Sequence, residues 1–149
     1  MIAETMYPPE LAEAVGYVVL EAAEAEDLIG ELIVLRTSLT EPDPTWWASG
    51  ETLAKAVEKI GDPALQPIVN EMRELLQHRN SVVHGLFLGG GRLRMTMKRG
   101  KSKRGEAPSY QLVRDWTDNV LDDLARRFRV LHGMVDDAIS DAMVITRSS

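Results

Sequence analysis

Apolar residues recur at helical spacing in four stretches of the chain and alternate with polar ones in a fifth. Behind Pro8 and Pro9, which suit a first helical turn, Leu11, Val15, Val18, Ala22, Ala25, Ile29 and Leu32 follow one another at steps of three and four. This predicts a long first helix with a wide apolar face. Gly16 and Gly30 lie within it, where each costs roughly 1 kcal/mol relative to alanine, so both are expected to mark close helix packing. "TEPDPTWW" interrupts the pattern with two prolines. Leu53, Ala56, Val57 and Ile60 then predict a short second helix from near Ser49, stopped by "GDP". Ile68, Met72, Leu75 and Leu76 carry a third helix. Val113, Trp116, Val120, Leu124, Phe128, Leu131 and Val135 define a long fourth, with the final "TRSS" expected to fray.

Between the third and fourth helices the period changes to two. Leu93, Met95 and Met97 are assigned to one side of a strand, with Arg92, Arg94, Thr96 and Lys98 on the other. "YQLV" can pair with it across the loop "KRGKSKRGEAP". The expected fold is therefore all-α: an antiparallel up-and-down bundle of about four helices, with a small β-hairpin insert over about 86–112 before the last helix. No repeat or linker divides the chain, so residues 1–149 are read as one domain. The stripe on the first helix is wider than a small bundle needs, which predicts a second subunit. Trp46, Trp47 and Trp116 lie on or beside apolar stripes and are read as core.

Composition narrows the class. At 149 residues and 44% hydrophobic content the chain can build one core, and having no cysteine it has no disulfide framework, thiolate metal site or thiol nucleophile. "MIAETMYPPE" lacks the basic and apolar regions of a signal peptide, and runs such as "VVL" and "LIV" are too short to span a bilayer. A cytoplasmic protein with no membrane association is expected. The net charge of −6 is unevenly spread. Arg92, Arg94, Lys98, Arg99, Lys101, Lys103 and Arg104 fall between Leu86 and Gly105 without an acidic residue, leaving ten basic against 23 acidic residues elsewhere. Such asymmetry predicts a local anion-binding surface on an acidic scaffold, or a loop kept soluble by its charge.

Several chemistries are excluded. "GKS" at 100–102 has Met95 where a phosphate-binding loop requires its first glycine. His78, His84 and His132 do not form HExxH, which argues against zinc, and no metal or cofactor is expected. Asp122–Asp123 and Asp136–Asp137 are sequence neighbours, so on a helix each pair diverges and reads as solvated surface.

The segment "ELLQHRNSVVHGLFLGGG", residues 74–91, is different. Good helix formers give way to Arg79, Asn80, Ser81, two valines and His84 where a glycine would have sufficed to end the helix. Arg79 and His84 have an R-x4-H spacing, and "HRNSVVHGLF" resembles the "RNxxVHG" stretch of the HEPN superfamily, found near the end of a bundle helix in many bacterial members. The order of helices and the basic insert behind the motif are similar too. Arg73 with His78, Arg127 with His132 and Arg126 with His132 have comparable spacings but lack the following Asn and Gly.

The resemblance implies metal-independent endoribonuclease chemistry: the ribose 2′-hydroxyl attacks the adjacent phosphate, His84 transfers protons, Arg79 stabilises phosphate charge, and Asn80 orients the histidine or binds phosphate. It also implies a homodimer with the motif copies across a cleft, a role as a toxin or defence factor, and a restraining partner such as a nucleotidyltransferase-like antitoxin. The seven basic residues of the insert would then guide the RNA substrate. On an ideal helix Arg79 and His84 are about 140° apart, so convergence is expected through either a loosened last turn or a second subunit. The alternative is a non-catalytic dimeric binding module in which Arg79, Asn80 and His84 form a helix-end network.

Overall fold

The structure, a computed structural model, describes residues 7–37, 49–100 and 103–148, with side chains as far as residue 144. Its elements run α1 (Pro9–Arg36), α2 (Glu51–Lys59), α3 (Gln66–His84), β1 (Leu86–Phe87), β2 (Thr96–Arg99), β3 (Tyr110–Val113) and α4 (Asp118–Ser148). The all-α bundle with a small insert before its last helix is thus the fold. Trp46, Trp47 and Lys101 lie outside the described residues.

The apolar stripes become one core. Leu11, Val18, Ala22, Ala25, Ile29 and Leu32 of α1 are buried, as are Leu53 and Val57 of α2, Met72 and Leu75 of α3, and Leu121, Phe128 and Leu131 of α4. Helices α1 and α4 pack together along much of their length, and α2 lies against α3. Their polar edges are tied by ion pairs. Arg129 meets Glu21 at 2.6 Å between α4 and α1, and Arg127 meets Glu71 at 3.0 Å between α4 and α3. Arg73 bridges α3 to Glu51 and Glu58 of α2. Gly16 departs from expectation, since a Cβ there would have open space within 4 Å.

The insert is a three-stranded antiparallel sheet in the order β1-β2-β3, one strand more than the hairpin expected. Leu86 pairs with Met97 and Phe87 with Thr96, while Thr96 to Arg99 pair with Val113 to Tyr110. The strand begins at Thr96 instead of Arg92, so Leu93, 59% exposed, lies before it, and Thr96, assigned to the polar side, is buried. The reason is a hydrogen bond, the Trp116 indole Nε1 donating to Thr96 Oγ1 at 2.9 Å, which satisfies both polar groups inside the core. Val113 and Trp116 likewise precede α4 instead of beginning it. Asp115 adopts φ 67°, outside the helical region, and Trp116 N donates to Arg94 O at 2.8 Å, so the chain is held off the helix until Asp118.

Candidate functional site at the end of the third helix

α3 remains regular to its end. Gly85 N donates to Ser81 O at 3.2 Å, and the Ser81 hydroxyl donates back to Gln77 O at 3.2 Å. The loosened last turn, one of the two expected routes to convergence, is therefore absent, although "NSVVHG" has low helix propensity. Burial of the preceding turns against the bundle outweighs that propensity. With the helix intact, Arg79 and His84 leave it on different sides, about 140° apart.

Gly85 ends the helix in an extended conformation, at φ −81° and ψ 149°, not in the left-handed one usual for a glycine cap. Its lack of a side chain serves close approach. A Cβ there would stand 2.2 Å from Ser81 O and 2.8 Å from Thr96 Cβ, so only glycine lets β2 cross directly against the end of α3. The last turn of the helix is thereby seated on the sheet that carries the basic residues.

Arg79 occupies the core-facing stripe of α3, one turn after Leu75 and Leu76 and one before Val82, where an apolar residue would be ordinary. Its guanidinium Nη1 donates to Glu26 Oε1 on α1, and its Nε donates to Asn80 Oδ1 at 3.3 Å. The ion pair is mostly enclosed: the side chains keep 18% and 11% of their exposure. Glu26 uses its second oxygen to accept the Gly50 backbone N–H at 3.1 Å, at the start of α2. Three helices thus meet at one carboxylate. Sequence reasoning missed Glu26. The signal was available, since Glu26 stands four residues after Ala22 and three before Ile29 and so falls on the buried side of α1.

His84 is solvent-exposed at the last turn of α3, and no hydrogen bond or ion pair joins it to Arg79 or Asn80. The structure thus brings Arg79 and Asn80 together and leaves His84 apart. Val83 and Gly85, the chain neighbours of His84, border an apolar groove of about 280 Å³ between the first half of α1 and the end of α3, with Val15, Val19 and Phe87 also among its walls; His84 itself is not in the lining.

The basic residues of the insert divide. Arg92, Arg99, Lys103 and Arg104 are exposed and Lys98 is half-buried on β2. Arg94 is instead drawn inward, with φ 50° and Nη2 2.6 Å from Asp118 Oδ1 at the start of α4.

The arginines of the other R-to-H spacings serve surface ion pairs. Glu58, then Glu51, raise the Arg73 pKa above its ordinary value through hydrogen bonds. Burial opposes ionisation of Arg127, but Glu74 and Glu71 outweigh it and leave its pKa raised. Among the described residues Arg126 pairs with Asp123 alone, at 3.7 Å. His78 sets its ring edge-on to Trp116, with centroids 6.4 Å apart.

Among the described residues no group of three His, Asp or Glu is arranged to hold a metal ion, and no helix is long and apolar enough to cross a membrane. The fold and site define an all-α bundle with an arginine–asparagine–histidine helix end. No family model, curated protein or solved structure matches the chain.

Proposed function

We propose that the protein is a HEPN-like, metal-independent endoribonuclease whose site is assembled from Arg79, Asn80 and His84 of two subunits. The observation that carries this reading is the exposed His84 at the end of a bundle helix, within two turns of the Arg79–Asn80 pair and next to an apolar groove. An imidazole facing solvent can exchange protons with a ribose hydroxyl and a leaving oxygen near neutral pH, while a guanidinium can neutralise the charge growing on the phosphate. The regular last turn of α3 favours the subunit route to convergence over the local one. Val19, Val83 and Leu86, which are 42%, 40% and 54% exposed, supply apolar surface around the groove for a two-fold contact that would bring the helix ends together.

Exposed Arg92, Arg99, Lys103 and Arg104, together with Lys98 and Lys101, would draw the RNA backbone toward the cleft without reading bases. A toxin or defence role held in check by an antitoxin such as a nucleotidyltransferase-like protein, in the cytoplasm, fits this chemistry.

A second reading is favoured by the enclosed Arg79–Glu26 pair: a non-catalytic dimeric binding module in which the motif braces three helices. Incubating purified protein with mixed RNA in EDTA separates the two. Cleavage is expected, with Arg79→Ala and His84→Ala each removing most of it, Asn80→Ala removing less, and His78→Ala and His132→Ala leaving it nearly intact. Intact RNA with the wild type, and lower melting of the folded Arg79 variant, would make the Arg79–Glu26 pair a brace.

A further inference from the structure

Glu26 has no part in the chemistry just proposed, yet it is the group placed nearest to the arginine on which that chemistry depends. Its position is determined from two sides. Oε1 accepts from Arg79 Nη1, and Oε2 accepts the Gly50 N–H at 3.1 Å. Gly50 lies at φ 66° and precedes the first turn of α2, so this carboxylate also faces the positive end of that helix. A phosphate oxygen and a carboxylate oxygen make the same demand on a guanidinium, namely in-plane N–H donors and a compensating charge. In the free protein the carboxylate already meets it.

Resting on the reading that Arg79 receives a phosphate, we infer that Glu26 is an electrostatic latch: it holds Arg79 neutralised against α1 until a phosphodiester of single-stranded RNA competes for the guanidinium. Glu26 is a positioning residue and touches no substrate. The contact to Gly50 gives it a place to remain when Arg79 leaves, so release of the arginine does not strand an unpaired carboxylate in the core. Asn80, bonded to Arg79 Nε, stays with the arginine on α3 and keeps the guanidinium oriented during the exchange.

The test reads binding and not cleavage. The probe is a short 2′-O-methylated oligouridine, which has phosphates but no nucleophilic 2′-hydroxyl, titrated at low salt by fluorescence anisotropy. Glu26→Gln removes the charge and keeps an oxygen for the Gly50 N–H. It should tighten binding about five- to tenfold, the coupling expected when two anions no longer compete for one cation. Glu24→Gln, on the exposed side of α1, makes the same change in net charge and should give little gain. In an Arg79→Ala background the Glu26→Gln gain should vanish.

Equal or weaker binding by folded Glu26→Gln overturns the latch, as does a gain matched by Glu24→Gln or one that survives loss of Arg79. If Glu26→Gln does not fold, Glu26→Asp draws the carboxylate back and should give a smaller gain of the same sign, and no gain there overturns the latch. Failure of the wild type to cleave unmodified RNA overturns the ribonuclease reading alone, since the Arg79-dependent gain in binding does not need the reaction.

Discussion

At Gly85 an added methyl group would lie inside the contact distance of both the Ser81 carbonyl and the Thr96 side chain. Gly85→Ala is therefore expected to destabilise the protein by about 1–3 kcal/mol, the range for overpacking a tight contact, with the denaturant midpoint as the measurement. Little loss of stability would mean that β2 moves away from α3 easily. The motif residues themselves were legible in the sequence, because Arg79 is followed by Asn80 and His84 by Gly85 at the end of an apolar period. Glu26 was only half legible: its spacing from Ala22 and Ile29 puts it on the buried side of α1, but the arginine that it meets there is 53 residues away in the chain and no helical period records that pairing. Thr96 was misread for a similar reason. Alternation counts threonine as polar, but a threonine whose hydroxyl meets the Trp116 indole is a suitable core residue.

Among the elements, the helices followed from their periods because each stripe is long enough to be averaged over several turns. The sheet did so only in part: β1 has two residues, and its pairing with β2 depends on the reversal through Leu88–Gly91, which no period records. The end of β2 and the loop that joins it to β3 carry five of the seven basic residues of the insert. Replacing Lys98, Arg99, Lys101, Lys103 and Arg104 by serine should leave the circular dichroism unchanged, weaken RNA binding and flatten its salt dependence. An unaltered salt slope would reduce the loop to a solubility device.

The joint between α1, α2 and α3 should respond to acid. A hydrogen bond from Ala64 N, then Arg36, holds the Asp62 carboxyl below its usual pKa, and Arg73 does the same for Glu58. A folded-state pKa below the unfolded one stabilises above the unfolded value, about 4 for these groups, and that contribution disappears as the pH falls through the folded value. Melting followed from pH 6 downward should show Asp62→Asn losing less stability than the wild type across that window. Parallel curves would remove Asp62 from the acid response.

For the whole molecule, the regular helix end and the groove beside His84 both bear on assembly. Sedimentation should give a mass of about 33 kDa, twice the 16.6 kDa of one chain, and a monomer at micromolar concentration would contradict the two-fold arrangement. The most direct test of a site shared between subunits is complementation. Arg79→Ala and His84→Ala protein, each inactive, are unfolded together, refolded and assayed on RNA in EDTA. Half of the randomly paired dimers then hold one intact arginine–histidine combination out of two, so about a quarter of wild-type cleavage should return. A mixture that refolds to dimers and stays inactive, while the wild type treated alike cleaves, would contradict the composite site.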